Sequence, residues 1–89
     1  MQFTKEEIKN AFSKLKGWTI TKDTKDELRF VCESYISRGD KEFKFWFENN
    51  ILTDMDITPG IAYEDYVDGY NSVQEIIDDI YTNIRIYSR

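Results

Sequence analysis

The sequence predicts a two-layer α+β domain with an N-terminal helix, an antiparallel meander of three or four strands, and a C-terminal helix. Two amphipathic segments with helical spacing lie near the ends of the 89-residue chain, and segments of alternating apolar and polar residues lie between them. Short polar turns join the alternating segments, as is typical of antiparallel strands. A hydrophobic fraction of 40% can supply a core, and the length predicts one compact domain over residues 1–89.

The first helix is predicted from about Lys5 to Lys16. Thr4 is followed three residues later by a glutamate, which is the spacing of a capping box, and Phe3 and Ile8 have the spacing of a hydrophobic staple. Gly17 is expected at the left-handed C′ position that ends the helix. The apolar stripe of this helix consists of Ile8, Ala11, Phe12 and Leu15.

Three segments with a period of two follow the helix, and each is predicted to be a strand with one buried face. The residues expected on the buried faces are Trp18 and Ile20 in the first strand, Leu28, Phe30 and Cys32 in the second, and Phe43, Phe45 and Phe47 in the third. Cys32 is therefore expected to act as a small buried hydrophobe rather than a nucleophile, because no histidine is present to activate it.

Beyond the third strand the pattern is less regular. An Asn-Asn pair at 49–50 predicts a tight hairpin turn, because asparagine tolerates positive φ. A fourth strand over 51–57 would follow, and residues 61–70 fit a loop, a short helix or an edge strand. The residues expected on the inner face of the fourth strand are Ile51, Met55 and Ile57.

The second helix is predicted from Val73 to about Arg85. Ser72 is expected to cap it, with Glu75 at the capping-box position. The apolar stripe consists of Val73, Ile76, Ile77, Ile80 and Ile84, with Tyr81 on its flank.

Composition argues against several classes of function. The chain has no histidine, which removes the commonest general base and the commonest metal ligand. A net charge of −5 argues against a nucleic-acid-binding surface, and no glycine-rich phosphate loop is present. No apolar run approaches the roughly 20 residues of a membrane span, and we expect no signal peptide before the first helix. With a single cysteine, the chain suits a reducing compartment, so we expect a cytoplasmic protein without a cofactor.

The charges are unevenly distributed along the chain. Residues 1–44 carry a balance of +2 and residues 45–89 a balance of −7, with no lysine or arginine between Lys44 and Arg85. One interpretation is a solvated acidic half that keeps a small protein soluble. The other is a contact surface for a basic protein, to which tyrosines would add contact area at low entropic cost. The candidate contact residues are Asp54, Asp56, Tyr63, Glu64, Asp65, Tyr66, Asp68 and Tyr70.

Two chemical alternatives for these acids are weaker. Their oxygens could collect Ca²⁺ or Mg²⁺, but the spacing does not match an EF-hand loop, so we expect no metal site. Asp78 and Asp79 are adjacent on the predicted helix and would point about 100° apart, which does not make a catalytic dyad. We therefore expect a protein that is not an enzyme.

These observations lead to a non-enzymatic, acidic protein-binding module whose partner is the basic surface of another protein, such as a nucleic-acid-binding protein. We expect no direct contact with nucleic acid or membrane. A phage or mobile-element inhibitor that mimics nucleic acid against a host complex, as an anti-CRISPR-type protein does, would fit the size and charge. The alternative is an oligomerising structural or accessory subunit, for example a homodimer, whose contact is an exposed Phe/Trp strand edge or the Trp46 face.

Overall fold

The computed structural model describes residues 2–33, 42–58, 61–62, 67 and 69–83. Its strands form one antiparallel sheet in the order β1-β2-β3-β4-β5, which confirms the predicted meander between two helices. The fifth strand has two residues and lies in the segment for which the sequence left three alternatives open. The elements are α1 (Lys5–Ser13), β1 (Trp18–Asp23), β2 (Glu27–Cys32), β3 (Glu42–Glu48), β4 (Ile51–Thr58), β5 (Ile61–Ala62) and α2 (Val73–Asn83).

The core lies between the two helices and one face of the sheet. Phe12 of α1 is at its centre, with its ring centroid 5.1 Å from that of Trp18 and 4.9 Å from that of Phe45. The faces predicted for the first three strands are confirmed, including the buried position of Cys32. The buried residues are Phe3, Ile8, Phe12, Trp18, Leu28, Phe30, Cys32, Phe43, Phe45, Phe47, Leu52, Met55, Val67, Ile76, Ile77 and Ile80.

The start of α1 forms as predicted. The Thr4 hydroxyl accepts a hydrogen bond from the Glu7 amide at 3.2 Å, and the Glu7 carboxylate accepts one from the Thr4 amide at 3.2 Å. This is a complete capping box. Phe3 and Ile8, at staple spacing, are both buried.

The predicted end of α1 is wrong by three residues. The helix ends at Ser13 with Lys14 as its C-cap, so Gly17 lies in the turn into β1 and not at C′. Gly17 does have the expected positive φ, at 84°. Its carbonyl accepts a hydrogen bond from the Glu33 amide, just after β2, at 3.0 Å.

The hairpin between β3 and β4 turns as predicted, but the inner face predicted for β4 is partly wrong. Asn49 and Asn50 have φ values of 51° and 67°, in the left-handed region that two-residue hairpin turns require. Met55 is buried as predicted. Ile51 is only half-buried, and Leu52 is buried in its place. The third residue predicted for this face, Ile57, belongs to β4, but its side chain is not among those that the structure describes.

A β-bulge at Thr53 causes this change of face. Phe47 pairs with Leu52, but the next residue back along β3, Trp46, pairs with Asp54, so Thr53 is the extra residue. Its hydroxyl donates a hydrogen bond to the Trp46 carbonyl at 3.2 Å. The bulge allows Leu52 and Met55, three residues apart, to share the inner face.

The N-terminal segment closes part of the sheet edge. The Phe3 carbonyl accepts a hydrogen bond from the Leu52 amide at 2.8 Å, and the Lys5 amide donates to the Asn50 carbonyl at 3.1 Å. The start of β4 is therefore paired on both sides, with β3 and with the residues that precede α1.

Helix α2 begins at Val73, as predicted. The Ser72 hydroxyl accepts a hydrogen bond from the Glu75 amide at 3.2 Å, which confirms the cap, but the Glu75 carboxylate accepts from the Asn71 amide instead of the Ser72 amide. Residues 84 and 85, in the predicted last turn, lie outside the described residues. No helix in the described part of the chain is long and apolar enough to cross a membrane.

Candidate functional site

The face of the sheet opposite the helices, called the outer face here, carries most of the polar side chains of the strands. The strand registers arrange these side chains in rows across the sheet. One row is Glu27, Trp46 and Asp54, the next is Lys22, Arg29, Lys44 and Asp56, and the third is Thr19, Val31 and Glu42.

On the β1, β2 and β3 side of the outer face, four charged side chains are paired with one another: Lys22, Glu27, Arg29 and Glu42. Glu27 accepts hydrogen bonds from Lys22 Nζ at 2.8 Å and from Arg29 Nε. Arg29 also reaches Glu42 at 3.4 Å, and Glu42 accepts from the Thr21 hydroxyl at 2.7 Å. Desolvation acts to raise the pKa of Glu27, but the hydrogen bonds from Lys22 and Arg29 outweigh it and lower that pKa. The negative charges of Glu27 and Glu42 are therefore balanced by Lys22 and Arg29 of the same chain.

On the β4 side, the two predicted site residues Asp54 and Asp56 lie next to each other on the outer face. Both are half-buried, and within the described part of the chain neither carboxylate has a hydrogen bond or an ion pair. Asp54 stands opposite Trp46 and Asp56 opposite Lys44. Because alternate residues of a strand are about 7 Å apart, the two carboxylates are held at a fixed spacing.

Tyr70 lies in a different part of the molecule from these two aspartates. Its ring packs against the core, and its hydroxyl donates a hydrogen bond to the Asp79 carboxylate of α2. Tyr70 therefore belongs to the helical layer, and the structure does not bring it to the outer face. The remaining predicted site residues lie outside the described residues; they are Tyr63, Glu64, Asp65, Tyr66 and Asp68.

The acids of α2 also lie in the helical layer. Asp78 accepts a hydrogen bond from the Gln74 side-chain amide at 2.9 Å, and Glu75 is engaged at the N-terminus of the helix. The described acids of the C-terminal half are thus divided between two layers, which the charge count alone could not show. The residues predicted for the acidic site did not include Trp46. The alternation that buries Phe45 and Phe47 puts Trp46 on the opposite face of β3, and this was the signal that could have identified it.

A separate ionic cluster attaches α1 to the end of β1. Asp23 accepts from Lys5 Nζ at 2.5 Å and from Lys9 Nζ at 2.7 Å. Hydrogen bonds from Lys5 and then Lys9 lower the pKa of Asp23, and the bond to Asp23 raises the pKa of Lys9. Both lysines and the aspartate are occupied in joining two elements.

Neither metal ligation nor similarity to known proteins adds a further assignment. No group of three or more cysteine, aspartate or glutamate side chains among residues 2–33, 42–58 and the other described positions is placed to hold a metal ion. The chain matches no protein-family model, and comparison with curated proteins and with solved structures gives no match.

Proposed function

We propose that this protein is a non-enzymatic binding module that attaches to a basic surface of another protein through the β4 side of its outer face. The observation that carries the proposal is the pair Asp54 and Asp56, two carboxylates without partners among the described residues. By contrast, Asp23, Glu27 and Glu42 are each paired with a lysine or an arginine of the same chain. Acids without an internal cation are available to an external one.

The sheet supports this role because it is a rigid platform. Asp54 and Asp56 belong to a strand that is paired on both sides, and the opposite face of the sheet packs on the core. Preorganised side chains lose less entropy on binding than side chains of a flexible loop. Carboxylates at fixed spacing can take the place of phosphates on a basic surface. An inhibitor that mimics nucleic acid, of phage or mobile-element origin and acting in the cytoplasm, would use such a surface.

Charge removal at matched positions tests the proposal. The immobilised protein is exposed to bacterial lysate, eluted with a salt gradient, and the eluate is identified by mass spectrometry. Asp54→Asn/Asp56→Asn is expected to abolish capture of a basic partner. The control Glu6→Gln/Asp78→Asn removes the same charge from exposed positions on the helices and is expected to retain capture. Equal loss in both variants would indicate a nonspecific charge effect and refute the proposal.

Two further arms refine the test. Competition of the captured partner by DNA or RNA is expected for a nucleic-acid mimic, and no competition would refute that part of the proposal. The triple reversal of Glu64, Asp65 and Asp68 to lysine asks whether the acidic surface extends beyond β4. We expect it to abolish capture while leaving the thermal midpoint within about 2–3 degrees.

The second candidate, an oligomerising subunit, is favoured by one observation: Trp46 lies on the outer face and is only half-buried. A second copy could cover it. Sedimentation velocity over a hundredfold range of concentration tests this function, with Trp46→Ala as the variant expected to remain monomeric. A concentration-independent monomer would exclude it.

A further inference from the structure

We propose that Trp46 and Asp54 form a binding site for an arginine side chain presented by a basic protein partner. This inference rests on the proposed function and specifies the chemistry that the outer face recognises. In it, the guanidinium of the partner lies on the indole face of Trp46 and donates hydrogen bonds to the Asp54 carboxylate.

The first argument is the juxtaposition of an aromatic ring and an acid. Trp46 occupies the row between Glu27 of β2 and Asp54 of β4, in direct register with both. Side chains opposite each other in antiparallel strands have Cβ atoms about 4.5–5.5 Å apart, so an indole and a carboxylate at these positions flank one small volume. A cation held there contacts the ring face and the carboxylate together.

The second argument is the difference between the two acids beside Trp46. Glu27 is occupied by Lys22 and Arg29, and its side chain is only 12% exposed. Asp54 has no partner among the described residues. Of the two acids in register with Trp46, the one without a partner is therefore Asp54, on the β4 side of the indole; in the next row Asp56 stands opposite Lys44. A cation is drawn to that side.

The third argument selects arginine over lysine. A guanidinium is planar, stacks on aromatic faces and donates bidentately to a carboxylate, whereas an ammonium group is a compact and strongly hydrated point charge. The same outer face already holds one guanidinium, because Arg29 donates to both Glu27 and Glu42. This face therefore already accommodates a guanidinium between two carboxylates, one on the same strand and one on β3.

The two tryptophans of the chain supply an internal control. Trp18 is buried, and its indole N–H donates to the Tyr81 hydroxyl at 2.9 Å, on the opposite side of the sheet from Trp46. The two indole N–H signals in a proton–nitrogen correlation spectrum can be assigned with Trp46→Phe. Acetylated, amidated tri-arginine is titrated into the labelled full chain, and tri-lysine of equal charge serves as the comparison.

We expect the Trp46 indole signal to shift with tri-arginine while the Trp18 signal stays in place. Tri-lysine is expected to require at least about a threefold higher concentration for half-saturation. Asp54→Asn is expected to raise the concentration of tri-arginine at half-saturation at least about threefold. Asp78→Asn is expected to leave that concentration unchanged. Asp54→Glu, which keeps the carboxylate, is expected to raise it by less than Asp54→Asn does. An unmoved Trp18 signal in each variant shows that the fold is retained.

Three outcomes would overturn the inference. The first is an equal response of the Trp46 signal to the two peptides, and the second is an equal loss of tri-arginine binding in Asp54→Asn and Asp78→Asn. The third is a Trp46 signal that moves with protein concentration in the absence of peptide, which would identify a second copy as the occupant. If the peptide result is negative but Asp54→Asn/Asp56→Asn still abolishes capture from lysate, the proposed function stands and only the arginine site fails. If the peptide result is negative and Asp54→Asn/Asp56→Asn also leaves capture from lysate intact, both the arginine site and the proposed function are refuted.

Discussion

Replacing Phe45 by alanine tests the packing of the core at its most constrained position. Phe45 lies on the central strand with its side chain fully buried, opposite Leu28 on one side and Met55 on the other. Its ring centroid is 4.9 Å from that of Phe12 and 6.1 Å from that of Phe30, the latter at 87°. Because β3 is held by strands on both sides, the core cannot collapse into the space that the ring leaves.

We therefore expect Phe45→Ala to lower the free energy of unfolding by about 3–5 kcal/mol, the usual range for a buried phenylalanine. This is a large part of the roughly 5–15 kcal/mol that stabilises a small domain. At about 4–8 °C per kcal/mol for a domain of this size, the thermal midpoint should fall by at least about 12 °C.

Urea unfolding followed by circular dichroism measures the loss. The exposed Glu48→Ala on the same strand is the control and should change stability by less than about 0.5 kcal/mol. Should Phe45→Ala not fold, Phe45→Leu should still unfold cooperatively, at a cost of about 1–1.5 kcal/mol. A loss below about 1 kcal/mol for the alanine variant, with an unchanged m value, would refute the packing described here.

Three further predictions concern the backbone, a part-buried hydrogen bond and pH. Gly17→Ala should cost about 1–2 kcal/mol in urea unfolding, because φ is +84° and the new Cβ would lie 2.8 Å from a glutamate side chain; Gly69→Ala, with open space around it, should cost less than half as much. Tyr81→Phe should cost about 0.5–1.5 kcal/mol and shift the Trp18 indole proton upfield, since the part-buried indole N–H loses its acceptor; wild-type stability would contradict this. The pKa of Asp23 lies below its ordinary value of 3.8. The ionised Asp23 therefore contributes to the free energy of unfolding above pH 3.8, and this contribution is lost as the pH falls through the pKa of Asp23 in the folded state. The cost of Asp23→Asn should therefore shrink between pH 5 and pH 2, and a constant cost would show that the ion pairs with α1 do not stabilise the fold.

Local chemistry made much of the fold predictable from the sequence. The capping box at Thr4, the left-handed residues at Asn49 and Asn50, and the alternation that buries Phe43 and Phe45 all act over a few residues. In each of these three segments, the local sequence favours one backbone conformation. The order of helices and strands follows from such signals because the turns between the elements are short.

The errors lie where distant backbone groups compete with local preference. Nothing in the composition of β4 indicates the bulge at Thr53, which brings Leu52 and Met55 to the same inner face. Helix α1 ends at Ser13, before Lys16, and the carbonyl of Gly17 accepts a hydrogen bond from the distant Glu33 amide. Such pairing is decided by the assembled sheet and not by the residues involved.

The candidate site was only partly predictable for the same reason. A strand with Met55 on its inner face implies that Asp54 and Asp56 share the other face, as the structure shows, whereas their opposition to Trp46 and Lys44 follows only from the observed register. The attachment of Tyr70 to α2 is a contact between two elements that charge counting cannot detect.

The bond between Phe3 and Leu52 has a consequence for how the chain is made. A ribosome releases the N-terminal residues first, but the carbonyl of Phe3 has no strand to pair with until Leu52 has been synthesised. Bringing these residues together closes a long loop, which carries an entropic cost that the nascent helix alone cannot offset. The first helix can begin to form early, yet its attachment to the sheet edge has to wait until the start of β4 has emerged.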